Sequence, residues 1–238
     1  MRIPIGGLLI HADSGEGRRM EVVAVELQLD TCVHWLEIAM EHLENANFAH
    51  AALQAQSPGS PEIGYQLDRE FKASVQAAFA AATFFEALYA ITIERNPPVR
   101  RSSPHSPKRK PPRYAVVAEQ LRRSFGLKNQ GAANLRSVLK ETYRFRDQAV
   151  HPSAAFTVPV MHPQLNAGVE SRFVMYSAGN VHLLVRSALA FSKILASRDL
   201  TRQPKNIQDL ASYLLVVCSP LYALWEQHYG PLLDAPLR

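Results

Sequence analysis

Apolar residues recur at helical spacing through most of the chain. Over residues 27–56, Leu29, Val33, Leu36, Met40 and Leu43 fall at three- and four-residue steps, with Glu37, Glu41 and Glu44 on the other side. Ser57-Pro58-Gly59-Ser60-Pro61 stops this helix. The next has Asp68 as its predicted N-cap and a stripe of Phe71, Val75, Phe79, Ala82, Phe85 and Tyr89, and Asn96-Pro97-Pro98 ends it. Its alanines leave room for a neighbouring helix to come close. Tyr114, Val117, Leu121 and Phe125 define a helix over 114–125, which Gly126 ends. Leu135, Val138, Leu139, Tyr143, Ala149 and Val150 define one over 132–150, limited by Pro152. Two further helices are predicted over 180–196 and 207–229, the last bent at Pro220.

Alternation replaces this period in few places. Phe156–Val160 and Arg172–Tyr176, separated by turn residues near Asn166 and Gly168, predict a short hairpin within 153–178. Residues 1–26 read either as a hairpin around Asp13-Ser14-Gly15-Glu16-Gly17 or as an extension. The expectation is an all-α fold, a bundle of up to six helices in one domain over 27–229, followed by a tail over 230–238.

Composition narrows the function classes. The net charge is +5, but the cations are unevenly placed. Residues 96–113 hold six prolines and six cations, Arg100, Arg101, Lys108, Arg109, Lys110 and Arg113, and no acidic residue. Such a segment cannot bury a core, and it reads as a solvated loop or as a track for a phosphate backbone. Cys32 and Cys218 are far apart, which argues against a disulfide framework or zinc finger. The uncharged stretch 210–225 contains Pro220 and falls short of the roughly 20 apolar residues of a spanning helix, and residues 3–10 are interrupted by Gly6 and Gly7. A cytoplasmic protein without membrane contact is expected. His34, His42 and His50 lack metal-ligand spacing, and no glycine-rich phosphate loop occurs. No metal or cofactor is expected. Trp35, Phe84 and Phe85 read as core.

The segment Tyr143-Arg-Phe-Arg146-Asp147-Gln-Ala-Val-His151-Pro152 carries the candidate chemistry. Arg146 and His151 bracket four residues, a polar Asp147 follows the arginine, and the histidine ends a helix. Arg100 and His105 share this spacing but lie in the proline-rich segment, where nothing would hold them. With the preceding alanine-rich helix ending in Phe84-Phe85-Glu86-Ala87-Leu88-Tyr89, the segment resembles the R-x4-6-H motif of the HEPN superfamily.

That resemblance implies a homodimer whose two motifs meet in one cleft, and in catalytic members RNA cleavage without a metal. The ribose 2′-hydroxyl attacks the adjacent phosphate, leaving a cyclic phosphate and a 5′-hydroxyl. His151 suits proton transfer near neutral pH, and Arg146 offers a planar fork of donors to phosphate oxygens. Asp147 would orient a side chain or accept a hydrogen bond. Two alternatives stand beside the ribonuclease: a non-catalytic module binding nucleic acid or nucleotide, and an interaction subunit docking an antitoxin or regulatory partner.

Overall fold

The computed structural model describes residues 31–57, 59–98, 110–151, 158–163, 165 and 167–233. The readings for residues 1–26, for Arg100, Arg101, Lys108 and Arg109, for 153–157 and for most of the tail lie outside them. The described residues form an all-α bundle: α1 (Thr31–Gln54), α2 (Glu62–Arg95), α3 (Arg113–Ser124), α4 (Asn129–Val150), α5 (Ser171–Met175), α6 (Ala178–Ala196) and α7 (Lys205–Tyr229).

The α1–α2 hairpin is the most extensive helix pair. α2 buries Ala77, Ala78, Ala80, Ala81 and Ala82, and these small side chains let α1 approach closely. Phe84 and Phe85 are fully buried, and Trp35 packs edge-on against Phe79 at the margin. Two details of α2 depart from its sequence reading. The helix begins at Glu62, because Ser60 Oγ accepts the Glu62 amide and Pro61 fits a first helical turn. Asp68 is therefore not a cap and pairs with Lys72 one turn on. Phe79 is 37% exposed, since the buried face is centred on the alanines instead.

α3 ends as its glycine foretells. Gly126 takes φ +62°, the Leu127 amide donates to Arg122 O, and Leu127 is buried. α4 packs on α2 and α3 and buries Leu135, Leu139, Thr142, Tyr143 and Phe145. Val150, read as apolar face, is 46% exposed at the end of the helix. α6 and α7 close the bundle against α2 and α1. Cys32 and Cys218 are buried and form no disulfide among the described residues.

The hairpin reading is half corrected. Val160–Met161 and Gly168–Val169 form a two-stranded antiparallel ladder, pairing Val160 with Val169 and Met161 with Gly168. The expected second strand, 172–176, is instead the helical turn α5 and its cap. Phe173 and Tyr176 both pack edge-on against Phe71, with centroids 5.3 and 5.6 Å away, and Tyr176 Oη donates to Phe145 O. Residues three apart share a face on a helix and oppose each other on a strand, so one helical turn satisfies both contacts.

By length and composition alone, α2 and α7 are apolar enough to cross a membrane. The uncharged stretch 210–225 lies inside α7, which continues beyond it at both ends. Half of the apolar window of α2 is buried inside the bundle.

Candidate nucleic-acid interface

α4 carries the sequence motif on its last turns, where α3 begins beside it. Pro152 keeps His151 out of helical geometry: His151 is the C-cap, at φ −124° and ψ 59°, with its amide still donating to Asp147 O at 2.9 Å. Its side chain is exposed. Pro112, Arg113, Tyr114, Lys140, Tyr143, Arg144, Asp147, Gln148 and His151 line an open cleft of about 560 Å³ here. The fold thus brings Asp147 and His151 together, with Arg113 from the basic segment opposite them. Lys110 is exposed three residues ahead of α3.

Arg146 is placed differently. It is absent from the cleft wall, and its side chain is 22% exposed. Its Nε and Nη2 donate to Asp147 Oδ1 at 3.0 and 2.6 Å, and its Nη1 donates to Glu86 Oε1 at 3.3 Å. The guanidinium also lies 4.3 Å from the Tyr143 ring centroid. Its fork of donors is thereby directed at carboxylates within the protein.

Glu86 is the centre of this arrangement. It accepts Arg113 Nε at 3.1 Å on each oxygen and Arg113 Nη2 at 2.5 Å, so it holds two arginines. Arg113 in turn lies 4.3 Å from the Tyr89 ring, a mirror of the Arg146–Tyr143 contact. Burial works to raise the Glu86 pKa, but the Arg113 hydrogen bonds, the nearby Tyr143 hydroxyl and the charges of Arg113 and Arg146 outweigh it and hold it below the usual carboxylate value. The hydrogen bond to Glu86 raises the pKa of the Arg113 guanidinium further. Burial, then Glu86, pushes the Tyr143 phenol well up.

Sequence reasoning passed over Glu86, Lys140 and Arg144. The signal for Glu86 was a carboxylate inside the apolar run Phe84-Phe85-Glu86-Ala87-Leu88-Tyr89. Lys140 and Arg144 stand one turn apart on the polar face of α4, and nothing local separates them from solvated helix charges.

A second cleft, of about 770 Å³, lies on the other side of α3. Of its arginines, Arg123 donates to Asn96 O and Gln120 Oε1, and Arg122 forms an exposed pair with Glu119. Elsewhere His50 Nδ1 lies 2.9 Å from Glu70, and among the described residues no three side chains come together to hold a metal ion. No family model, curated protein or solved structure matches this chain significantly, so the site stands on its own geometry.

Proposed function

We propose that the cleft at the carboxyl end of α4 binds the sugar–phosphate backbone of RNA. One observation carries this: Lys140, Arg144 and His151, from α4 and its cap, line the same open cleft, which Arg113 of α3, held by Glu86, also borders. Guanidinium and ammonium groups on one wall neutralise successive phosphates and release their counterions. Tyr114, half-buried on the same wall, offers a ring for an unstacked base. Asp147 can accept a hydrogen bond from a ribose 2′-hydroxyl, which DNA lacks. The Arg144–Glu141 pair is exposed and weak enough to yield to a phosphate.

The test is fluorescence anisotropy of a labelled single-stranded RNA over a range of salt concentrations. A Lys140→Ala/Arg144→Ala variant is expected to bind about tenfold or more weakly and to lower the salt slope by about 1–2. Unchanged affinity and slope would remove the proposal.

A metal-independent endoribonuclease is the second reading, favoured by the exposed His151 one turn beyond Asp147 on the same wall. In it His151 takes the 2′-hydroxyl proton, the 2′-oxygen bonds to phosphorus, and the bond to the 5′-oxygen breaks. That oxygen regains a proton, leaving a 2′,3′-cyclic phosphate and a 5′-hydroxyl. The engagement of Arg146 with Asp147 and Glu86 makes it a positioning residue in each isolated protomer. Cutting in excess chelator that yields cyclic ends and vanishes in His151→Ala is the expected result. Equal cutting by both proteins would defeat this reading.

A further inference from the structure

α4 and α6 meet only lightly, because α4 packs mainly on α2 and α3. The groove left between them is an open cleft of about 510 Å³. Helical spacing builds both of its walls. Val138, Glu141 and Phe145 follow at three- and four-residue steps on α4, and Asn180, Leu184 and Ser187 do so on α6. Val138, Phe145, Met175, Leu183 and Leu184 make the surface mainly apolar, and Leu183 is 58% exposed on it. Such a surface suits the face of a planar ring.

Two acceptors stand at its rim, and the hydroxyls of Ser137 and Ser187 can turn either way. Asn180 Nδ2 donates to Val174 O and Met175 O, both at 3.1 Å, which commits the amide nitrogen and leaves Oδ1 to accept. Glu141 Oε2 accepts Arg144 Nε at 2.9 Å, both side chains being half exposed. Arg144 joins this groove to the α4 cleft, since it lines both. When a phosphate in the α4 cleft takes the Arg144 guanidinium, Glu141 loses that partner and is left as a carboxylate beside an apolar surface. A carboxylate so placed is satisfied best by two N–H donors side by side.

We propose that this groove receives a guanine base of the RNA whose backbone lies in the α4 cleft, an inference that rests on that reading of the cleft. Among the RNA bases only guanine carries two adjacent donors, N1–H and the 2-amino group, on its Watson–Crick edge, and one carboxylate accepts both. Adenine and cytosine offer one exocyclic amine beside a ring nitrogen lone pair, which faces the carboxylate unfavourably. Uracil offers one ring N–H between two carbonyls. Each of these leaves a carboxylate oxygen unmet at an apolar surface. Val138, Leu183 and Leu184 take the ring out of water. Phosphate binding and base reading are thereby linked, because the phosphate frees the carboxylate that reads the base.

The test is fluorescence anisotropy with oligouridylates identical except for one central G, A, C or inosine, and circular dichroism to follow the folding of each variant. Wild type is expected to bind the G-containing strand about tenfold more tightly than the A- or C-containing strand. Inosine, which keeps N1–H but lacks the 2-amino group, should fall between. Glu141→Gln should bring the ratio of G to A affinity close to one, and Ser187→Trp, which fills the groove from the α6 side, should do the same. Glu141→Gln decides the matter even if Ser187→Trp fails to fold. Equal binding of all strands, or a guanine preference that survives Glu141→Gln, would overturn the inference and spare the backbone reading of the cleft. Guanosine monophosphate binding as tightly as the G-containing strand would assign the groove to a free nucleotide and overturn it too. Failure to bind any strand would overturn both.

Discussion

Two buried or half-buried carboxylates do most of the side-chain organisation, and neither belonged to the sequence motif. Glu86 neutralises Arg113 and Arg146 beside the cleft. Glu86→Gln is expected to cost about 1–2 kcal/mol in urea unfolding, because charge-assisted bonds become neutral ones at a partly exposed site. The same variant should bind RNA more tightly with a steeper salt dependence, as two guanidinium groups lose their internal anion. Glu70 works far from the cleft: 2% exposed, it accepts the Ala178 amide at 2.7 Å and faces His50. Glu70→Ala is expected to lose about 1–3 kcal/mol by orphaning the first amide of α6, and Glu70→Gln clearly less, since it keeps an acceptor. Chemical denaturation of the pair separates acceptor from charge. Sequence could name Arg146, Asp147 and His151 because helix spacing and a proline fix their backbone. It could not show that Arg146 would turn to Glu86, sixty positions earlier, because that contact exists only after α2 and α4 pack.

Helices were legible at the scale of elements because each announces itself by its own period and stop residue. Gly126 is the plainest case. At φ +62° an added Cβ would be strained and would lie 3.0 Å from the Gln203 side chain. Gly126→Ala should cost about 1 kcal/mol or more, read as a lower thermal midpoint. Arg198, which donates to the Phe125 and Gly126 carbonyls, cannot replace the conformational freedom lost. By contrast 172–176 read as strand because its residues favour one, while the tertiary demand of Phe71 for Phe173 and Tyr176 on one side chose a helical turn. Val150 and Phe79 misled for a similar reason: a stripe gives a direction, and the neighbours decide where burial stops.

As a whole molecule, the bundle should lose stability on mild acidification. Burial lowers the pKa of His162 and of His182, the latter aided by Arg186. The native state therefore prefers both neutral, while the unfolded chain takes up protons near pH 6.5. Their contribution is present above that value and is lost as pH falls through the folded pKa values. His182 packs tilted against Trp225 and edge-on against Tyr229, with ring centroids 4.7 and 5.0 Å away, so its protonation disturbs the α6–α7 seam. Thermal midpoints taken between about pH 7.5 and 5 should fall, and His182→Gln should flatten that fall.

The claim at the centre of this account is that RNA lies along the α4 cleft. Photocrosslinking with a thiouridine-substituted single-stranded RNA, followed by peptide mass spectrometry, tests it most directly. Adducts are expected on Tyr114 or on the peptide containing His151, suppressed in Lys140→Ala/Arg144→Ala. Adducts confined to α7 or to the Arg123–Arg136 side of α3, or none under conditions where RNA binds, would contradict it.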